Sequence, residues 1–376
     1  MVSKNQNKLM DHFKEQTGFS EAELTEIGIR LIAASRLAAH DSDHLRYHVG
    51  SALLSFDKKG HEREIQTNAN EIPPFLKEKG FTPHKKLADG SPTIHGEFPL
   101  LYKAPTSKHI FLGCNTPNCA SCLKSAIMRG VDALFIDAQS LPGMKGPQDS
   151  ENPWTQDRAY YWNNLILPMA EAAQIPIYAV NMEEKKLSII SNGLPPKKRP
   201  VASTSARILR QKELDELEHN PYLYLSKMRG VRSAIGVARH KNTGAHHFIY
   251  AEDCHPPGFS AEHGQEMEER FHDAHYRFPL DPIIHMCMEA SKHNLELMDG
   301  RILANFMPSS GRQLDLAYIG LSHIYLTDDH LPHTDDGAKA MKQLSEIGAI
   351  DYTVMKPDGV LRRLLQDDKI SPRPIP

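Results

Sequence analysis

The chain has 376 residues, 40% hydrophobic and 24% charged, which exceeds what one hydrophobic core commonly organises and supplies apolar material for two. A formal net charge of −3 provides no global field to gather nucleic acid, so such a partner would have to be held by local basic patches. No apolar run approaches the roughly 20 residues of a membrane-spanning helix, and the polar residues 1–14 lack the apolar segment of a secretory signal, so the expected location is cytoplasmic with no membrane partner.

Ser20 followed by Glu23 has the capping-box pattern, and Leu24, Ile27, Leu31, Ser35 and Ala38 recur at helical spacing, which predicts an amphipathic helix over 20–40. The apolar run 48–54, ended by Asp57-Lys58-Lys59-Gly60, reads as a strand entering a hairpin, with 64–70 as the returning strand. After a Pro- and Lys-rich loop through 92, His95-Gly96-Glu97 opens one or two helical turns. The pattern then predicts strand 109–114, helix 119–129, strand 131–137, helix 155–174 and strand 175–180. This alternation argues for an α/β sheet layered with helices.

Residues 192–215 contain Pro195-Pro196-Lys197-Lys198-Arg199-Pro200 and Ser203-Thr204-Ser205, the composition of a basic linker, and divide a first domain, 1–191, from a second, 216–376. The second repeats the plan of the first through strands 233–238 and 248–250, segments 282–285 and 302–308, helix 313–320, strand 323–326, helix 337–347 and strand 351–355. His95 precedes Cys119 by 24 positions (119 − 95), as His285 precedes Ser309 (309 − 285); this register sets Cys287 on Glu97, Arg312 on Cys122 and Gly320 on Gly130. A shift by one sets Ser310 and Gln313 on the two cysteines instead. A tandem repeat of one domain is the expected organisation.

The five cysteines, Cys114, Cys119, Cys122, Cys254 and Cys287, are odd in number, and two stand three apart, which suits a metal site better than a disulfide framework. An isolated C-x-x-C is equally compatible with ordinary buried cysteines; the upstream His-x-Glu favours a metal. His95, Cys119 and Cys122 supply an imidazole and two thiols, and a zinc ion with three protein ligands keeps the open position of a catalytic site. Such an ion lowers the pKa of its water towards neutrality. Glu97, two positions from His95, is then spare to carry the proton. A helix beginning at the cysteine pair favours the thiolate form through its dipole.

This pattern resembles the zinc-dependent nucleobase deaminase superfamily, whose signature is H-x-E followed by P-C-x-x-C, with the glutamate as acid and base. The resemblance implies two tandem cytidine deaminase-like three-layer α/β/α domains, each a mixed sheet flanked by helices. It implies Zn2+ as cofactor, ligated by His95, Cys119 and Cys122, with Glu97 as proton shuttle. Asn70 matches the position where the family holds the base or ribose by an amide, and Asn68 is its neighbouring substitute. Asn118 separates Pro117 from Cys119, where the family has cysteine directly after proline, and it joins the candidate substrate contacts. The specific motifs lie only in the first domain, so the second is expected to be a catalytically inactive copy. The pair resembles the active and inactive subunits of eukaryotic tRNA adenosine deaminase, joined as an intramolecular pseudo-dimer in a chain that can act as a monomer.

The implied reaction is hydrolytic deamination of a nucleobase, first in nucleic acid (tRNA or single-stranded DNA), with adenine ahead of cytosine and guanine open. Lys197-Lys198-Arg199, residues 207–212 and 227–232, and Arg362-Arg363 are the candidate phosphate contacts. A free nucleotide or nucleoside substrate, as for deoxycytidylate deaminase, is the alternative; a non-catalytic zinc-stabilised binding protein is another. Among the 21 histidines, His246-His247 and His272 with His275 are candidates for a second metal site.

Overall fold

The computed structural model describes residues 19–45, 47–88, 91–141, 159–201, 206–219, 231–271, 278–327 and 335–354. Ser20 caps the first helix, α1 (Glu21–Ala38): its hydroxyl accepts from Glu23 N–H, and the Glu23 carboxylate accepts from Ser20 N–H at 2.6 Å. Strands β1 (Gly50–Phe56) and β2 (Gln66–Ala69) pair antiparallel with Gly50 opposite Ala69. There follow α2 (Pro74–Glu78), α3 (Glu97–Lys103), β3 (His109–Cys114), α4 (Ala120–Arg129) and β4 (Ala133–Asp137). A π-helical turn (Trp162–Ile166) leads into α5 (Leu167–Ala172), β5 (Ile177–Asn181) and β6 (Lys186–Ser191).

The first sheet is six-stranded and mixed, in the order β2-β1-β3-β4-β5-β6. The apolar face of α1 (Leu24, Ile27, Leu31, Ile32) covers it in one cluster with Leu54, Phe111, Phe135, Tyr178 and Val180. Burying each such side chain contributes about 1.5–3 kcal/mol, which is why the helical spacing in the sequence pinned this helix. Phe111, Phe135 and Tyr178 continue the contact across β3, β4 and β5, with centroids 6.1 and 5.5 Å apart.

The second sheet is built from β7 (Arg207–Ile208), β8 (Ser233–His240), β9 (His246–Glu252), β10 (Leu295–Ala304), β11 (His323–Leu326) and β12 (Asp351–Val354), in the order β12-β11-β10-β8-β9-β7. Its helices are α6 (Gln211–His219), α8 (Pro282–Lys292), α9 (Ser310–Tyr318) and α10 (Asp335–Glu346); α7 (Ala261–Arg270) precedes α8 in the chain. Two compact units result. The described residues of Met1–Glu71, His95–Ala202 and His255–Phe278 form one, and those of Ile72–Ile94, Ser203–Cys254 and Pro279–Pro376 form the other. Among the described residues no helix is long and apolar enough to cross a membrane.

Leaving out β6 and β7, the two sheets share one topology, β2-β1-β3-β4-β5 against β9-β8-β10-β11-β12, with antiparallel and parallel pairings in the same places. A polar clamp repeats with it. Beyond β3, Asn115 Oδ1 accepts from Gly50 N–H at 2.9 Å and its Nδ2 donates to His48 O at 2.8 Å. Beyond β10, Asn305 Oδ1 accepts from Ser233 N–H at 2.7 Å and its Nδ2 donates to Val231 O at 2.8 Å. Gly50 could not give way here, because a Cβ would stand 2.1 Å from Ser35 O and 2.4 Å from Ala39 N. Two side-chain hydrogen bonds at about 0.5–1.5 kcal/mol each predict that Asn115→Ala and Asn305→Ala each lower stability by about 1–3 kcal/mol. Urea unfolding checks this, and unchanged midpoints in both variants would remove the clamp from the account.

The structure departs from the sequence expectations in several elements. The segment read as a linker contributes edge strand β7 and helix α6, β10 begins at Leu295, and β6 and α7 were not anticipated. The helix expected over 155–174 is described from residue 159 and is π-helical over Trp162–Ile166.

Candidate metal centre

The turn carrying His95 and Glu97 lies flat against the end of β2. Gly96 N–H donates to Asn70 Oδ1 at 3.1 Å, and a Cβ at 96 would stand 3.0 Å from Asn68 O, so any other residue would press the end of β2 outward by a few tenths of an ångström. Glu97 then opens α3 and is buried, at 2% exposure. Cys119 is the N-cap of α4, its Sγ accepting from Cys122 N–H at 3.4 Å. Arg129, in the last turn of α4, donates to Leu101 O, Ala104 O and Pro105 O at 3.1–3.3 Å, which ties α4 to the end of α3. The imidazole, on the turn before α3, and the thiols, at the start of α4, therefore lie at the ends of two helices that are hydrogen-bonded to each other.

His95 Nδ1 lies 3.4 Å from Cys119 Sγ and 3.4 Å from Cys122 Sγ, and the two sulfurs are 3.4 Å apart. A disulfide would bring them to about 2.05 Å, and both thiols are free. Zn–S of about 2.3 Å and Zn–N of about 2.05 Å give tetrahedral edges of about 3.6–3.8 Å, so a small relaxation of this triangle accommodates zinc. Among the described residues it is the single group of three or more His, Cys, Asp or Glu ligands this close together. Hydrogen bonding with Cys122, then the charge of His95, holds the Cys119 thiol well below its ordinary pKa against the opposing effect of burial.

The Glu97 carboxylate is asymmetric in its contacts. Oε1 accepts from Asn118 Nδ2 at 3.0 Å and lies 3.7 Å from Cys114 Sγ, whereas Oε2 is buried with no partner. A buried carboxyl oxygen without a partner is costly, and such an atom two residues from His95 suits a site that a further group completes. Donor set, edges and orphan oxygen together fit zinc.

His95, Cys119 and Cys122 thus come together as the spacing implied, while Glu97, two residues after His95, is buried at the start of α3 with Asn118 and Cys114 as its neighbours. Asn70 is buried and braces Gly96 through its Oδ1. Asn68 Oδ1 accepts from Ala69 N–H at 2.9 Å. Asn118 is buried against Glu97 and also donates to Cys114 Sγ at 3.1 Å. Sequence reasoning missed Ser51 and Cys114, paired across β1 and β3, with Cys114 Sγ 3.5 Å from Ser51 Oγ. Burial, then the charge of Glu97, raises the Cys114 pKa well above its ordinary value, so it stays a neutral thiol.

In the second unit Ser309 is the N-cap of α9, as Cys119 is of α4, and Gly320 follows α9 at φ 88° as Gly130 follows α4 at φ 78°. Helix α9 therefore follows the first register, which puts Ser309 and Arg312 at the positions of Cys119 and Cys122; His285 and Cys287, matched to His95 and Glu97 by the sequence spacing, lie inside α8, whereas Glu97 opens α3. His285 is buried in α8; its Nε2 accepts from Ala206 N–H at 3.3 Å, and Nδ1 has no partner. Burial first, then the charge of Lys292, moves its pKa from 6.5 to about 4. The unfolded state then binds more protons between those values, so stability rises with pH across the window, by about 3 kcal/mol in all. Urea unfolding of the transition containing this unit is expected to lose that amount on going from neutral pH to about pH 4. His285→Gln, which keeps an acceptor for Ala206, should flatten the slope; an unchanged slope would assign it to other groups.

Much of the expected phosphate path is committed internally. Arg199 is half-buried and donates to Leu194 O, Val131 O and Asp132 O at 2.5–2.7 Å. Arg207 pairs with Glu213, and Arg232 pairs with Asp281 at 3.0 Å and lies over the Phe306 ring. Lys197, Lys198, Arg210 and Lys212 are exposed. Residues 227–230 and Arg362-Arg363 lie outside the described residues, as do His272 and His275; among the described residues His246 and His247 join no metal-competent group.

No protein-family model and no curated protein matches the chain. Among solved structures it is similar to the dCMP deaminase of cyanophage S-TIM5 in apo form, at 20% identity over 30% of this chain and 82% of that one, with a TM-score of 0.23. It is also similar to the same enzyme in complex with dCMP and dUMP, at 22% identity over 30% and 81% of the two chains, with a TM-score of 0.22.

Proposed function

We propose that the chain is a zinc-dependent hydrolase that deaminates a nucleobase. The observation that carries the reading is the buried, unpartnered Glu97 Oε2 two residues from His95, whose Nδ1 forms a triangle with the Cys119 and Cys122 sulfurs. His95 Nδ1 and the two Sγ atoms would hold the ion. When bound, it supplies a nucleophile at neutral pH by lowering the pKa of water and acts as a Lewis acid.

The remaining work falls to the chain. Glu97 Oε2 takes a proton from the attacking water and delivers it to the ring nitrogen as the new C–O bond forms. The water's second proton, now on the new hydroxyl, passes through the same oxygen to the exocyclic amine, the C–N bond breaks, and ammonia leaves a carbonyl on the ring. Asn70, fixed through its Oδ1 by Gly96 N–H, offers its amide hydrogens to a base or ribose oxygen. The second unit, with Ser309, Arg312 and Cys287 at the matching positions, serves as a non-catalytic copy.

A free nucleoside or nucleotide is the substrate form favoured by the internal pairing of Arg199, Arg207 and Arg232. A base within tRNA or single-stranded DNA is the second reading, favoured by the exposed Lys197, Lys198, Arg210 and Lys212. Ammonia release from zinc-loaded protein, measured with adenine, cytosine and guanine nucleosides and nucleotides beside RNA and single-stranded DNA oligomers, decides between them. Turnover of oligomers alone would establish the second reading, and release from no pool would remove the deaminase assignment.

A further inference from the structure

We infer that Asn118 is a positioning residue: its amide anchors Glu97 Oε1, which leaves Oε2 as the single oxygen free to carry the proton. The inference rests on the reading of Glu97 as the shuttle of a zinc site.

The geometry constrains the amide on both sides. Asn118 is 5% exposed, and its Nδ2 lies 3.0 Å from Glu97 Oε1 and 3.1 Å from Cys114 Sγ. The amide turns its nitrogen to Glu97, and with one hydrogen bond to Oε1 and one to the Cys114 sulfur both amide hydrogens are used. Cys114 is itself fixed, opposite Ser51 in the β1–β3 register and 3.5 Å from its hydroxyl. Serine, thiol, amide and carboxylate thus form a buried chain that starts on a central strand and ends at Oε1.

That chain matters because the terminal torsion of a glutamate is broad and nearly two-fold, so an unanchored carboxylate exchanges its oxygens. With Oε1 held, Oε2 keeps one position, and proton transfer depends on such placement. Asn118 also directly precedes Cys119. The residue that orients the shuttle therefore belongs to the loop that presents a ligand, and ligand and shuttle are set together.

Asn118→Asp and Asn118→Ala separate positioning from packing. Aspartate keeps the shape but turns an acceptor towards Glu97; a packing role predicts near wild-type behaviour for it, whereas a positioning role predicts that it is at least as damaging as alanine. Both variants are expected to bind zinc like wild type and to lose kcat by about 10–100-fold, the usual effect of removing a group behind a metal site, with KM unchanged on the base found by the substrate screen. The visible spectrum of the Co(II)-loaded protein, which reports the groups around the open coordination position, is an independent readout. Asn118→Asp should depart from wild type in the same direction as Glu97→Gln. Coincidence of the Asn118→Asp and wild-type spectra overturns the inference, as does loss of zinc from either variant. If wild type deaminates nothing, the proposed function fails and the Co(II) spectra alone decide the role of Asn118.

Discussion

Replacing Glu97 with glutamine is expected to leave zinc binding intact and to lower turnover by about 10²–10⁴-fold, the range for losing a positioned general acid and base. Glutamine preserves the volume of a side chain that is 2% exposed, and its amide oxygen can still accept from Asn118 Nδ2. What it removes is a proton-carrying Oε2. The ligand triangle of His95, Cys119 and Cys122 does not include Glu97, so metal content should not change. Zinc analysis beside a rate measurement checks both halves. Activity within a few-fold of wild type would deny Glu97 the shuttle role, and loss of zinc would make it part of the ligand set.

Cys119→Ser is the second large effect, and it is expected to abolish zinc binding without unfolding the protein. Cys119 both caps α4 and belongs to the triangle. Serine is among the best N-caps, and the matching helix α9 already begins with Ser309, so the fold should tolerate the change. A neutral hydroxyl, however, is a poor zinc ligand. In the wild type, free zinc at about 1,000 times its Kd should stabilise the folded state by about 4 kcal/mol through mass action. Thermal unfolding with zinc and with a chelator is therefore expected to differ for wild type and to coincide for Cys119→Ser. A zinc-dependent shift that survives in the variant would place the ion elsewhere.

Legibility in the sequence followed the range of the interactions. The α1 cap and its apolar stripe depend on residues within a few positions of one another and were readable, as was the helix that begins beside Cys119. The metal triangle was readable because His-x-Glu and Cys-x-x-Cys are rigid local spacings placed on a predicted turn and helix. Non-local pairing was not. The Asn115 and Asn305 clamps depend on knowing which strand lies opposite. The basic stretches looked like surface charge because Arg199 finds its carbonyl partners at Val131 and Asp132 only after folding. Helix α7 was hidden for another reason: Gly264 and Met267 are its buried positions, too few to set a period. Asn118 stood in plain view beside Cys119, yet its role depends on Glu97, 21 residues away.

The clamp and the capping serine show why the two units can share a plan and differ in chemistry. Asn115 and Asn305 make the same bonds, and Cys119 and Ser309 begin matching helices, so this part of the scaffold repeats where the His95, Cys119 and Cys122 group does not. In the register of α4 and α9, the two thiols of the first unit are answered by a hydroxyl and a guanidinium in the second, and the spacing sets the buried neutral thiol of Cys287 against Glu97. The scaffold is specified separately from the site.

The most direct measurement follows the oxygen. Zinc-loaded protein is incubated with its substrate pool in water enriched in heavy oxygen, and the bases are analysed by mass spectrometry beside the Glu97→Gln variant. Hydrolytic deamination predicts a product in which the carbon that lost its amine carries the heavy oxygen, with little or none formed by the variant. Amine loss without heavy oxygen in the product, or equal product from both proteins, would contradict it.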